Sequence, residues 1–269
     1  MIYTLITGAS SGIGKAIAYE CGKRGMNMIL VSLPNQNLEL VAKDLADKFK
    51  VETVFIETDL TRLDSPKELF DHTQAEGLEV NILINNAGVA GASYFEESAL
   101  DYIDERIFLN IRALVMLTRL YLPVLSKHKK SYILNVSSLA AFFCIPYKSI
   151  YSASKAFVLN FSRSLCGELE GKGVSISVLF PNGVRTNETT HKRIDAHGFI
   201  GQWTEVKVEE VARAAIKGML KRRFYIIPGS VSHFLLFLRF ILPIPVQQRL
   251  ISREFIKEAK VTCNPEQPL

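Results

Sequence analysis

TGASSGIG, Thr7–Gly14, is the stretch whose reading decides the fold. It follows a strand-like apolar run, Tyr3–Thr7, and opens a helical pattern that continues through Lys15–Arg24. Gly8 and Gly12 let a backbone turn tightly and approach a pyrophosphate. Gly14 allows a helix to pack closely on a strand, and the helix N-terminus offers unpaired N–H groups to the anion. A glycine-rich turn alone is weak, because an ordinary strand-to-helix connection can look the same. Its G-x3-G-x-G spacing also differs from the usual dinucleotide fingerprint.

Outward from this loop, short apolar runs alternate with amphipathic stretches. The runs are 3–7, 27–31, 53–58, 81–86, 131–136, 174–180 and 224–228. Each is apolar on both faces and bounded by Gly, Pro or polar residues, as buried parallel strands are. Helical patterns at Lys15–Arg24, Leu38–Phe49, Asp101–His128, Ser152–Glu170 and Val208–Lys221 lie between them. The alternation predicts an α/β fold, a doubly wound parallel seven-stranded sheet of the Rossmann type, with ligands beyond the carboxyl ends of the strands. The last run stops at Pro228-Gly229, so residues 1–229 are expected to form a dinucleotide-binding catalytic domain and 230–269 a helical C-terminal extension. No internal repeat or low-complexity linker interrupts the chain, whose 269 residues suit one such unit.

A chain 48% hydrophobic and 22% charged is not of the disordered class. Residues 221–260 carry eight basic and two acidic side chains, so the excess positive charge of the whole protein, +5, lies there. The main domain is nearly neutral, unlike a nucleic-acid binder with a basic patch and readout residues. Cys21, Cys144, Cys166 and Cys263 lack metal-ligand spacing and fit a reduced compartment. No metal site is expected. Met1 runs directly into Ile2–Ile6, which predicts no leader peptide and a cytoplasmic location.

Further residues stand at positions where chemistry is expected: Asp59 after the third strand, NNAG at Asn85–Gly88, Asn110, Ser138, Tyr151 with Lys155, and a Pro181-to-Thr186 P-x4-T stretch. Together with the glycine loop, in this order and at these separations, they resemble the short-chain dehydrogenase/reductase family over roughly residues 1–229. The resemblance implies an NAD(P)-dependent oxidoreductase. It places cofactor contacts at Gly8, Ser10, Ser11, Gly12, Ile13, Gly14, Ser32, Asp59, Leu60, Asn86, Ala87, Gly88, Tyr151, Lys155, Pro181, Gly183, Val184 and Thr186. One departure is Asn182, where Pro-Gly is usual in the family; Gly183, one place later, can supply the flexibility.

Tyr151 and Lys155 are four apart and so share a helix face. Ser138 closes a strand thirteen residues upstream, and Asn110 is a polar residue inside an apolar helical pattern. Taken singly, these have ordinary readings: an exposed tyrosine with a solvated lysine, a turn-capping serine, a tolerated asparagine. As a set they fit hydride transfer. A developing alkoxide needs a proton near neutral pH, and a phenol titrating at about 10 in water releases one only beside a group that favours the phenolate. Lys155 is that group, and Ser138 can donate to the same substrate oxygen. The family resemblance implies further that Lys155 holds the nicotinamide ribose, that Asn110 positions a relay water, and that Thr186 meets the carboxamide.

The second strand ends VSLPNQN, with Ser32 where an acid would hold a ribose 2′-OH and Leu33 where many NADP enzymes have arginine. No carboxylate there repels a 2′-phosphate, and Ser11, Ser32, Asn35 and Asn37 can donate to one. NADP(H) is therefore expected over NAD(H).

Residues 187–206 are the segment covering substrate in similar proteins; His191, Phe199 and Trp203, with Ser138 and Tyr151, are the candidate substrate contacts. The same aromatics also suit a surface loop, and two histidines six apart make no metal site. Within the family the chain is most similar to long-chain 3-oxoacyl, 3-ketosphinganine and 17-beta-hydroxysteroid type reductases, which implies a lipid-like ketone. A steroid or other alicyclic alcohol is the alternative, and a non-catalytic NAD(P)-binding sensor or scaffold is the alternative of another class. FLLFLRFILPIPV, Phe234–Val246, is too short to span a bilayer and is broken by Pro243 and Pro245. With the cations after it, the region 230–260 reads either as a peripheral membrane contact or as packing on the cleft or a second subunit. A homo-oligomer, dimer or tetramer, is expected from the helices 101–128 and 152–170.

Overall fold

Side chains of the central strands alternate between two helical layers, which is why their sequence is apolar on both faces. The computed structural model describes residues 1–184 and 206–262. Its strands are β1 (Ile2–Thr7), β2 (Asn27–Ser32), β3 (Thr53–Glu57), β4 (Glu79–Asn85), β5 (Ser131–Val136), β6 (Val174–Leu179) and β7 (Tyr225–Ile226). All pair in parallel in the order β3-β2-β1-β4-β5-β6-β7. The expected seven-stranded doubly wound sheet is present. Its last strand, expected over 224–228, pairs for two residues only, at the sheet edge.

Helices α1 (Gly12–Gly22), α2 (Leu38–Phe49) and α7 (Val208–Leu220) cover one face, burying Ile17, Leu45 and Ile216 against Ile6, Leu30 and Ile84. Helices α3 (Ser65–Ala75), α5 (Leu114–Leu125) and α6 (Ser149–Glu168) cover the other, where Leu69, Leu117 and Tyr121 meet Leu5, Val31 and Leu83. The chain ends in α8 (Ser230–Ile241) and α9 (Ile244–Thr262).

Two features position the site. β1 and β4 are neighbours whose connections leave in opposite directions, so the loops after them meet at the switch point where such sheets bind ligands. The second lies in the long helical run before β5. α4 (Leu100–Ile107) passes into α5 through a π-helical turn, Phe108–Ala113, with Asn110 inside it. Single π turns in α-helices are frequent at functional sites. The run Leu100–Leu125 is long and apolar enough to cross a membrane by length and composition, but Leu117, Tyr121 and Leu125 pack on the sheet.

Candidate active site

After β1 the backbone turns through Gly8 and Gly12, both left-handed at φ 66° and 56°. The loop is stitched to the end of β4. Thr7 Oγ1 donates to the Ile84 carbonyl (3.3 Å) and accepts from the N–H groups of Asn86 and Ala87 (both 3.0 Å). Asn86 Nδ2 donates to the carbonyls of Thr7 (2.8 Å) and Gly8 (3.1 Å). A Cβ on Gly14 would lie 2.0 Å from the Gly8 carbonyl oxygen, so helix α1 can approach the loop only with glycine there. Ser11, at the N-cap of α1, makes no side-chain capping bond, and the first turn holds no acid. The first-turn N–H groups and the positive end of the helix dipole are thus presented to an incoming anion, with Ser10 half-buried, Ser11 exposed and Ile13 packed on the core edge. These residues fit a dinucleotide pyrophosphate.

At the adenosine end, Asp59 Oδ1 accepts from the Thr61 N–H (2.9 Å) and hydroxyl (2.7 Å), holding the turn after β3, and Leu60 is buried beneath it. Ser32 is buried and donates to the Leu33 carbonyl (3.0 Å); Leu33 is exposed. The parallel register sets Ser32 beside Glu57 of β3, an exposed carboxylate that inspection of the β2 end alone overlooks. Asn35 and Asn37 both adopt left-handed backbone in the connecting turn.

Three of the catalytic candidates, carried by α6 and the π turn, lie close together. Lys155, 5% exposed, reaches back from α6 to donate to the Val136 carbonyl (3.1 Å), and its Nζ lies 5.8 Å from the centre of the Tyr151 ring. Burial pulls its pKa down to about 8, so the ammonium is held at neutral pH and released in mild alkali. Asn110 faces it from the π turn. Its Oδ1 accepts from the Val89 N–H (2.9 Å), while Nδ2 donates to the Val89 carbonyl (2.9 Å) and to Ser154 Oγ (3.2 Å). One buried amide therefore ties the loop after β4 to the helix carrying Tyr151 and Lys155. A Cβ on Gly88 would lie 2.9 Å from Asn110 Oδ1 and 3.2 Å from Lys155 Nζ, which shows how near the three residues are.

Ser138 is half-buried on extended backbone and accepts from the Ala140 N–H (3.1 Å) at the start of the 3-10 turn Leu139–Phe142. It is thus a turn cap, and capping uses a lone pair while leaving the hydroxyl proton to donate elsewhere. The Pro181 carbonyl accepts from Leu139 N–H (3.0 Å), and the Gly183 carbonyl from Val206 N–H (3.1 Å); Val184 is buried. Asn182 Nδ2, where the family has glycine, is buried without a partner among the described residues. Thr186, His191, Phe199 and Trp203 lie outside the described residues. Among those described, no group of three His, Cys, Asp or Glu side chains is placed to hold a metal.

Two further sets of residues in this part of the fold did not stand out in the sequence. A buried polar ladder crosses the sheet beneath it. Asn85 Nδ2 donates to Thr118 Oγ1 (3.1 Å) and Asn135 Oδ1 (2.9 Å), and Asn135 Nδ2 donates to Ser162 Oγ (2.8 Å), joining α5, β4, β5 and α6. Beside the cleft, Tyr94 and Tyr147 meet edge-to-face at 5.2 Å, and the Tyr147 carbonyl accepts from the Ser93 N–H (2.8 Å). Tyr147 holds a left-handed φ of 66°, uncommon for an aromatic residue. With Phe95, Glu96 and Ser149 they line a shallow, open hollow of about 390 Å³.

The sequence profile for short chain dehydrogenases matches residues 3–197. Among curated proteins, the very-long-chain 3-oxoacyl-CoA reductase of Anas platyrhynchos is 39% identical over 190 residues, 68% of this chain and 60% of that protein. The 17-beta-hydroxysteroid dehydrogenase type 3 of Homo sapiens is 39% identical over 194 residues, 70% of this chain and 61% of that protein. The chain thus spans about three fifths of the length of these relatives. Among solved structures, a short-chain dehydrogenase from Sphingobium yanoikuyae in complex with NADPH superposes with a TM-score of 0.78 at 30% identity, covering 90% of this chain and 93% of that one. A 7beta-hydroxysteroid dehydrogenase superposes with a TM-score of 0.84 at 21% identity, covering 93% and 96%, a likeness of fold alone.

Proposed function

The chain belongs to the short-chain dehydrogenase family, and on that premise we propose that it is an oxidoreductase exchanging hydride between NADP(H) and the carbonyl or secondary alcohol of a lipid-like substrate. The observation that carries this reading is the convergence of Lys155, Tyr151 and the doubly tied Asn110 at the mouth of the glycine-loop cradle. A bound nicotinamide supplies the hydride. Gly8–Gly14 and the N-terminus of α1 hold its pyrophosphate, with Asp59, Leu60 and Asn86–Gly88 around the remainder.

Tyr151 gives its phenolic proton to the oxygen as charge develops there, and the Ser138 hydroxyl donates to that same oxygen. The Lys155 ammonium favours the phenolate left behind. Asn110 acts by position, since both atoms of its amide are committed to Val89 and Ser154. A relay water at this residue would use its backbone carbonyl. Complete retention of Asn110, Ser138, Tyr151 and Lys155 weighs against a sensor or scaffold, which has no use for all four.

Kinetics follow from the lysine. The kcat/KM for NADPH, which reports groups of the free enzyme, is expected to be level below pH 8 and to fall about tenfold per pH unit above it, because Lys155 is charged only below its lowered pKa of about 8. A profile flat to pH 10 refutes this role.

For the substrate, the names of the two similar curated proteins suggest long-chain 3-oxoacyl thioesters and keto-steroids. The aromatic wall of Tyr94 and Tyr147 suits either. NADPH oxidation screened against 3-oxoacyl thioesters, 3-keto sphingoid bases and keto-steroids should single out the first two classes; turnover of keto-steroids alone selects the alternative reading. Absence of an acid at Ser32 supports NADP(H). A higher kcat/KM with NADH, expected if Glu57 instead takes the ribose hydroxyl, overturns the preference. Only 33% of the most apolar stretch of Leu100–Leu125 is buried within one chain, and Ile107 and Phe157 are exposed, which supports the same helices as a homo-oligomer contact.

A further inference from the structure

The corner between α8 and α9 carries a concentration of exposed apolar side chains. On α8, Phe234, Phe237 and Ile241 share one outward face, being 48%, 60% and 60% exposed. Ile244, Val246 and Leu250 continue the patch around the turn and onto α9. The corner is firmly built: Gln247 Nε2 donates to the carbonyls of Arg239 (2.9 Å) and Leu242 (2.7 Å), tying the start of α9 to the end of α8.

Charge at the corner is positive up to Arg253, and the acids of α9 begin at Glu254. From Phe224 to Arg253 the sequence contains no Asp or Glu and three arginines, of which Arg249 and Arg253 stand exposed on α9 beside the corner. A second copy of this chain is a poor occupant, since a two-fold contact at the corner would set Arg249 and Arg253 of one copy against the same arginines of the other. α8 has 12 residues and ends before Pro243, too short to cross a bilayer. An apolar corner with exposed Arg249 and Arg253 beside it matches an interface made of acyl chains beneath anionic headgroups.

The location joins this surface to the chemistry. Arg239 Cζ lies 5.9 Å from the Phe142 ring, at the end of the 3-10 turn that Ser138 caps. Lys148 Nζ lies 4.6 Å from the Phe255 ring on α9 and 5.9 Å from the Tyr151 ring. The two helices therefore rest on the segments that carry Ser138 and Tyr151. We infer that the α8–α9 corner docks the enzyme on an anionic bilayer surface, with the mouth of the catalytic cleft against the lipid. The patch is then the route by which a substrate held in the bilayer reaches Tyr151, a step that rests on the reductase reading, whereas docking itself does not.

Sedimentation with vesicles tests it without turnover, so its failure and the failure of the reductase reading are separable. The full chain should pellet with vesicles of phosphatidylcholine mixed with phosphatidylglycerol, bind pure phosphatidylcholine about tenfold more weakly, and lose the difference in 1 M salt. The double variants Phe237→Asp with Ile241→Asp, and Arg249→Gln with Arg253→Gln, should each bind the anionic vesicles several-fold to tenfold less. Both should keep the unaltered protein's rate on a small water-soluble ketone. Equal or absent binding of the unaltered protein to both vesicle types overturns the inference, as does undiminished binding by the Asp variant. So does an oligomer that the Asp variant converts to monomer without vesicle binding in the parent.

Discussion

Replacing Tyr151 with phenylalanine should lower kcat by about a thousandfold, the range for loss of a positioned general acid, with the Kd for NADPH changed by less than about twofold. The ring keeps its place beside Lys155 and Lys148, so packing and the cationic surroundings survive while the transferable proton is gone. Ser138 can still donate to the substrate oxygen and should leave a residual rate. The measurement is single-turnover NADPH oxidation beside fluorescence titration of the cofactor. Full activity in the variant would remove the proposed proton donor.

Replacing Gly14 with alanine acts at the other end of the site and on stability as well. The new methyl would lie 2.0 Å from the Gly8 carbonyl oxygen and 2.4 Å from Asn86 Nδ2, in a place fixed by backbone on one side and by two hydrogen bonds on the other. Neither can yield cheaply, so destabilisation of about 3 kcal/mol is expected, a fall in Tm of roughly 6–12 °C, with cofactor binding lost as α1 moves away from the loop. Gly167 is the control. It is exposed on α6 with nothing within 4 Å of its added Cβ, so alanine there should stabilise by about 0.5–1 kcal/mol. Equal effects at the two positions would mean that close approach of α1 is not what Gly14 provides.

What the sequence displays and what it hides divide along the distance between interacting residues. The glycine loop, the seven apolar runs and the spacing of Tyr151 and Lys155 are local patterns, and they carry the fold and half of the proposed catalytic set. α3 did not stand out because only a few of its residues, such as Leu69 and Thr73, are buried. Asn110 stood out as a polar residue in an apolar run, but its partner Val89 is 21 residues away and no periodicity names it. Ser138 invited two competing readings, and the structure displays the turn-capping one, with the hydroxyl proton left to donate. The wall of Tyr94 and Tyr147 depends on two loops meeting, and the placement of Glu57 beside Ser32 on strand register, neither of which composition encodes. In the C-terminal helices, hydropathy marked an apolar segment without telling which of its faces is turned outward.

The π turn at Phe108–Ala113 has a bearing on how this site can vary. Such a turn holds about one residue more than a regular α-helix over the same rise. Arg106 and Leu125 are nineteen residues apart, which on an unbroken helix would offset them by about 100° around the axis. The surplus residue cancels that offset, and both are buried on one side of the run, at 4% and 0% exposure. The helix thus meets two constraints of different phase: Arg106 donating to the Ala90 carbonyl above, and Leu125 wedged against the sheet below. Deleting any one residue of the turn would straighten the helix and force a choice between them. Length in this segment should therefore be tolerated far less than side-chain identity, although the segment looks like an ordinary apolar helix.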